Sequence, residues 1–158
     1  MDYEHRDRVI RTYLEGRTWD EHPEFLLIRT LVLKLPEALQ RWPYLVEYEW
    51  EVSAGWSQAG KGDLVFGDGE GSFAIVEVKW IDNDTTGSTS RTRRTKKRKA
   101  VREQAQKYAV AWWYSHPEAV EVRAFTFTDD HSPQGQLDES PLPSLSRDDL
   151  SLVDEDEE

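Results

Sequence analysis

The chain contains no cysteine, which removes both a disulfide frame and thiolate metal sites, so any metal would take oxygen or histidine nitrogen ligands. Zinc-finger folds are thereby excluded. No apolar run approaches the roughly 20 residues of a membrane span, and the N-terminus, MDYEHRDRVIRTYLEG, lacks the hydrophobic segment of a signal peptide. The expectation is a soluble, intracellular protein with no membrane partner, cytoplasmic or, in a eukaryote, nuclear. Positive charge is scarce as well: 20 Lys and Arg stand against 31 Asp and Glu, for a net charge of -11. Proteins that hold nucleic acid through general electrostatics have the opposite balance.

That average hides an asymmetry. Arg91 to Arg102 reads RTRRTKKRKAVR, whereas the sequence closes on Asp154-Glu155-Asp156-Glu157-Glu158. A basic patch therefore sits on an acidic body. The length of 158 residues suits one domain with a real core.

Val9, Ile10, Tyr13 and Leu14 have helical spacing, with Gly16 as a stop. Pro23 suits a first helical position, and Phe25, Ile28, Leu31, Val32 and Leu35 continue a 3.6-residue stripe to Pro36. From Leu45 the period becomes two, with Val46, Tyr48, Trp50 and Val52 alternating with Glu47, Glu49 and Glu51. Lys61 to Phe66 and Phe73 to Trp80 read as a hairpin across the glycine-rich turn Gly67 to Gly71. After a polar stretch, Asp82 to Ser90, a helix carries Val101, Ala105, Tyr108, Ala109 and Trp112, and a fourth strand covers Ala119 to Thr128. These elements predict an α/β chain of the α+β kind, with a four-stranded mixed sheet flanked by helices and a right-handed crossover before the last strand. Residues 1–22 form an N-terminal helical extension and 23–130 the core. Residues 131–158, rich in Ser, Pro and acid, are expected to be a mostly disordered tail.

Two patterns carry no chemistry. Gly55 to Lys61 matches the opening of a phosphate-binding P-loop, but Gly62 stands where Ser or Thr should ligate magnesium, and a strand follows where a helix should begin. Asn83-Asp84-Thr85 matches a glycosylation sequon without any other sign of secretion.

The informative feature is the hairpin, where Asp63, Glu77 and Lys79 interrupt otherwise apolar strands. Burying such charges costs several kcal/mol unless they are paired or metal-bound, at about the level expected for ions removed from water. If Phe66 lies opposite Ala74, then Val65 meets Ile75, Leu64 meets Val76 and Asp63 meets Glu77; a one-residue slip would put Asp63 on the other face. In that register Cβ atoms about 5 Å apart let both carboxylates reach one ion. Waters, substrate phosphate and a backbone carbonyl, for which Val78 is placed, would complete the shell, which suits Mg2+ or Mn2+. Lys79 then stands ready to orient or help activate an attacking water.

Gly62-Asp63 followed by Glu77-Val78-Lys79 resembles the signature of the PD-(D/E)xK nuclease superfamily, with Gly62 where its name has Pro. The resemblance covers roughly Pro23 to Thr128, about two-thirds of the chain. It implies an αβββαβ restriction-endonuclease-like core and magnesium-dependent hydrolysis of phosphodiesters. Gln104-Ala105-Gln106-Lys107-Tyr108 is similar to the QxxxY motif of RecB-like members, which implies that Gln104 and Tyr108 border the active site. A further acid from the first core helix is often a ligand in that family, and Glu24 is the position that matches.

Blander readings stand beside these. Glu77 and Lys79 also fit a solvated strand face or an ion pair, Glu47, Glu49 and Glu51 a half-exposed strand, and Gln104 with Tyr108 a sheet-packing helix. His5, His22, His116 and His131 share no ligand spacing. The basic residues Arg91, Arg93, Arg94, Lys96, Lys97, Arg98, Lys99 and Arg102 read as a solvated face, a nuclear-import signal or a phosphate-contacting arm. Their place beside the cluster favours phosphate contact, with DNA preferred over RNA as partner. The rival expectation is a nucleic-acid-binding or nucleoprotein-assembly protein without catalysis. Two-fold cleavage of DNA would require a homodimer, for which no seam is readable.

Overall fold

The computed structural model describes residues 1–52, 60–82, 87–143 and 145. Its elements are α1 (Tyr3–Gly16), α2 (Pro23–Leu33), a single 3-10 turn (Glu37–Leu39), β1 (Tyr44–Glu51), β2 (Lys61–Gly67), β3 (Ser72–Lys79), α3 (Ser88–Ser115), β4 (Glu121–Thr128) and β5 (Gln136–Ser140). The strands form one mixed sheet in the order β1-β2-β3-β4-β5. Only β3 and β4 run parallel, and α3 is the connection between them. No helix among the described residues is long and apolar enough to cross a membrane.

Local chemistry starts and stops these elements. Asp2 caps α1 by accepting from the His5 amide at 3.0 Å, and Pro23 opens α2. In the β2–β3 turn the Asp68 carboxylate accepts from the amides of Glu70 (2.7 Å) and Ser72 (3.0 Å), while Gly69 and Gly71 take positive φ. The Gly71 carbonyl then accepts from the Val120 amide at 2.8 Å, tying this turn to the start of β4. Ser72 completes the corner: its hydroxyl accepts from the Trp42 indole at 2.8 Å and donates to Glu121 at 3.0 Å. These bonds set the β3/β4 pairing, which runs from Ser72 opposite Glu121 to Lys79 opposite Thr128.

Strand alternation divides the core into two layers. Leu64, Phe66, Ala74, Val76, Phe125 and Phe127 face α1 and α2, packing with Leu14, Phe25, Ile28, Leu31 and Trp42. Val65, Phe73, Ile75, Val122 and Ala124 face α3, packing with Ala105, Tyr108, Ala109, Trp112 and Trp113. Trp112 anchors that second layer, its ring 5.3 Å from Trp50 at 88° and 5.2 Å from Phe73. The strand β3 is covered on both sides, as the apolar run Phe73 to Val76 requires.

The sheet has five strands, not the four expected. Residues 136–140, assigned from the sequence to a disordered tail, pair antiparallel with β4 from Ala124 opposite Ser140 to Thr128 opposite Gln136. The sequence QLDES offers one apolar residue, Leu137, packed at the margin of the first layer. What holds β5 is the ladder itself, which satisfies the outer edge of β4 and leaves no hydrophobic signature. Beyond it, Leu142 and Leu145 pack on the α3 layer, so the ordered body extends past the predicted boundary at 130. The acidic close of the chain, the sequon at 83–85 and residues 55–59 of the P-loop-like segment lie outside the described residues; Gly60 and Lys61 lead directly into β2.

The packing of α3 sets a first test. Trp112 is 2% exposed and Tyr114, two residues on, is 66% exposed. Trp112→Ala should lower unfolding stability by about 3–5 kcal/mol in urea titration, whereas Tyr114→Ser should stay within about 0.5 kcal/mol. A larger loss at Tyr114 would mean that the helix docks by its other face.

Candidate functional site

The β2–β3 ladder has the register expected from the turn: Phe66 opposite Ala74, Val65 opposite Ile75 and Leu64 opposite Val76. It ends there, and the next pair, Asp63 and Glu77, replaces backbone pairing with a reciprocal clamp. The Asp63 amide donates to Glu77 Oε1 at 3.0 Å, and the Val78 amide donates to Asp63 Oδ2 at 2.8 Å. Each carboxylate thus binds the opposite strand's backbone through one oxygen, which turns both into the gap between the strands. The two carboxyls lie within hydrogen-bonding reach of each other.

Two acids this close and this buried cannot both ionise without help. Burial pushes the Glu77 carboxyl far above the usual carboxylate range, and the Asp63 charge pushes it further. Asp63 is raised as well, chiefly by burial and then by the charges of Glu24 and Glu49, despite the opposing bonds from the Val78 amide and Glu77. Among the described residues no Lys or Arg forms an ion pair with either carboxylate. At neutral pH, with no cation bound, the pair therefore keeps a proton that the two acids share.

Lys79 closes the outer end of the cluster. Its ammonium is 3.2 Å from Glu24, in the first turn of α2, so the helix contributes an acid to the site's edge. On its other side Lys79 borders a cleft of about 330 Å³, lined also by Arg93, Lys96, Lys97, Ala100, Val101 and Gln104 of α3. The Gln104 amide donates to the Tyr108 hydroxyl at 2.8 Å, and the buried Tyr108 ring packs 6.0 Å from Trp50. The glycines before Asp63 make room for this wall. A Cβ at Gly60, whose φ is +105°, would strike the Tyr108 hydroxyl, and one at Gly62 would strike the Trp50 indole. The absence of proline at Gly62 has the same cause, because no ring fits against Trp50.

The structure divides the basic run. It lies on α3 itself, whose first residue is Ser88, earlier than the polar stretch to Ser90 implied. Arg93, Lys96 and Lys97 face the cleft, whereas Arg98 is held by Asp130 at 2.6 Å on the other flank, with Arg102 beside it. Arg91 and Lys99 are exposed. Glu47 is taken by Arg6, and Glu51 is exposed. Glu49 is different: it sits between Tyr48 and Trp50, which pair with Leu64 and Gly62, and so stands on β1 at the position opposite Asp63 of β2. Its φ of +50° is unusual for a side chain of this size. None of the four histidines joins the cluster.

Sequence reasoning missed Asp129. This buried acid at the end of β4 accepts from the Ile81 amide at 2.5 Å and the Asp82 amide at 3.1 Å. It fixes the exit of β3 just beyond Lys79. The available signal was an acid placed directly after an apolar strand, which a turn explains equally well.

The donor set fits a hard cation in part. Two facing carboxylates bonded to each other, raised in pKa and lacking an ionic partner among the described residues, match the demand of a divalent ion for anionic oxygen ligands once their shared proton is lost. Among the described residues no group of three or more His, Asp and Glu side chains is gathered to hold a metal, so Glu24 does not complete a cage. The Val78 carbonyl and solvent or substrate oxygens would have to supply the rest. No family model, curated protein or solved structure matches the chain.

In the unfolded chain both carboxyls ionise in the ordinary range, whereas the fold holds their proton to higher pH. Their burial is thus least costly at acid pH, and stability is lost as pH rises from the ordinary carboxylate range through the raised values. In chelator, Glu77→Gln should therefore be more stable than the parent at pH 8, by roughly 1–4 kcal/mol, with the gap narrowing at pH 5. Denaturant titrations at the two pH values measure it, and a gap that does not change with pH would refute the shared proton.

Proposed function

We propose that the protein is a metal-dependent nuclease of the PD-(D/E)xK kind, hydrolysing phosphodiester bonds in DNA in preference to RNA. The observation that carries this reading is the Asp63–Glu77 clamp, a buried dicarboxylate with no ionic partner among the described residues, two positions along β3 from Lys79, which borders a cleft lined by Arg93, Lys96 and Lys97. The order α2, β1 to β3, α3, β4 agrees with the core of that superfamily. In this reading Asp63, Glu77 and the Val78 carbonyl hold Mg2+ or Mn2+. The bound ion supplies Lewis-acid stabilisation of charge at the scissile phosphate and lowers the pKa of a coordinated water.

The remaining work falls to the chain's own groups. Arg93, Lys96 and Lys97 bind the phosphates that flank the reacting one, and the cleft sets the strand against the carboxylates. Lys79, steadied by Glu24, hydrogen-bonds the attacking water or a non-bridging oxygen where negative charge builds up. Gln104 donates to Tyr108, and Tyr108 and Trp50 wall the approach to Asp63. An acid at Glu24 that steadies lysine, rather than binding the ion, is consistent with its 3.2 Å contact.

A second reading is a nucleic-acid-binding protein without catalysis. The observation that favours it is the lack of a third clustered ligand among the described residues. Plasmid, linear and single-stranded DNA and RNA, incubated with the protein in Mg2+, Mn2+ or chelator, separate the two. The nuclease reading predicts metal-dependent cleavage, with the rate reduced about 10²-fold or more by Lys79→Ala and abolished by Asp63→Ala. Binding without cleavage under every condition would select the second reading, and equal cutting by both variants would remove the assigned site.

A further inference from the structure

Helix α3 has two unlike halves. Over its 28 residues every buried side chain, from Val101 to Trp113, lies in the C-terminal half, while Ser88 to Ala100 contains none. The N-terminal half is about 20 Å long at 1.5 Å per residue, and it carries the basic run with no acid of its own; Asp130 and Glu103, from outside it, pair with Arg98 and Lys99. Its free state is poorly supported. Gly87 provides no side-chain cap, cations crowd the positive end of the helix dipole, and like charges recur three and four residues apart. Only continuity with the packed half spares it a nucleation step. Thr92 and Thr95 spend their hydroxyls inside the helix, each donating at 3.0 Å to the carbonyl four residues back, so the cations are what this surface offers a partner.

Those cations occupy more than one side. Arg93, Lys96 and Lys97 face the cleft beside Lys79, whereas the exposed Arg91 falls roughly opposite Arg93 at about 100° per residue. A helix lying along a single strand needs phosphate contacts on one flank only. One lying within a groove meets a phosphate backbone on each side. The major groove of B-form DNA, about 12 Å wide, admits an α-helix, whereas that of A-form RNA is too deep and narrow.

Resting on the nucleic-acid reading of the cleft, we infer that residues 88–100 of α3 form a groove-inserting helix that selects B-form duplex DNA and delivers one backbone to the Asp63–Glu77 cluster. The neutralising phosphates on both flanks complete the helix that its own charge opposes. Recognition therefore depends on helical geometry as well as charge.

Full-length protein in chelator, titrated against a 20-base-pair DNA duplex, the duplex RNA of the same sequence and the single strand at fixed salt, tests this by fluorescence anisotropy. The inference predicts at least tenfold tighter binding to duplex DNA than to either alternative. Thr95→Pro leaves the charge unchanged but breaks the helix against the Arg91 carbonyl, and it should weaken duplex DNA binding at least tenfold; Thr95→Ala should not. Thr92→Gly with Thr95→Gly, a milder loosening, covers the case in which the proline variant misfolds, and should fall between. Equal affinity for the three ligands, or a proline or glycine variant that binds like the parent, would overturn the groove helix and leave a flexible polycation. The nuclease reading fails separately: selective duplex binding without cleavage in metal removes that reading and keeps the helix, whereas cleavage unaffected by Thr95→Pro keeps the nuclease and removes the helix.

Discussion

Two carboxylates are forced together where the β2–β3 ladder stops, and much of the surrounding structure exists to make that arrangement tolerable. Asp63 and Glu77 each accept an amide from the opposite strand, so the backbone bonds that a continuing ladder would make are exchanged for carboxylate bonds. The exchange satisfies the amides and leaves two buried acids with no cationic partner among the described residues. A structural ion pair would have placed a lysine or arginine there. Lys79 instead turns to Glu24, so the requirement for positive charge is left open at the place where the cleft meets the sheet.

The neighbouring elements share this constraint. Gly60 and Gly62 lack side chains where Tyr108 and Trp50 press against β2, which lets the wall of the site approach Asp63. Asp129 pins the amides that follow Lys79, holding the end of β3 in place. The acidic overall charge is no obstacle to a polyanionic partner, because cations are concentrated on one half of one helix. Long-range repulsion is screened within about 8–10 Å at physiological salt.

The hairpin register was legible as a condition, because setting Phe66 opposite Ala74 fixes the parity of every pair that follows, and the observed ladder from Gly67 opposite Phe73 to Leu64 opposite Val76 meets it. Helix α2 and strands β1 to β4 followed from apolar periodicity, since each buries a face; α1 forms where the spacing put it, but of its stripe only Leu14 is buried and Ile10 packs at the margin, while Val9 and Tyr13 are exposed. Strand β5 was not legible, because QLDES is held by backbone hydrogen bonds on the edge of β4. The early start of α3 escaped for a related reason: thirteen or so residues without a buried side chain leave no stripe to read, and only propagation from the packed half makes them helical. The role of Asp129 depends on a partner 48 positions away in sequence, which no local pattern encodes.

The central claim is that the Asp63–Glu77 pair takes up a divalent cation in exchange for its proton. Calorimetric titration of Mn2+ into the protein at pH 7, in two buffers of different ionisation enthalpy, measures binding and proton release together. The account predicts binding with net release of protons, lost in Asp63→Asn and in Glu77→Gln. Absence of binding, or binding that survives both substitutions, would contradict it.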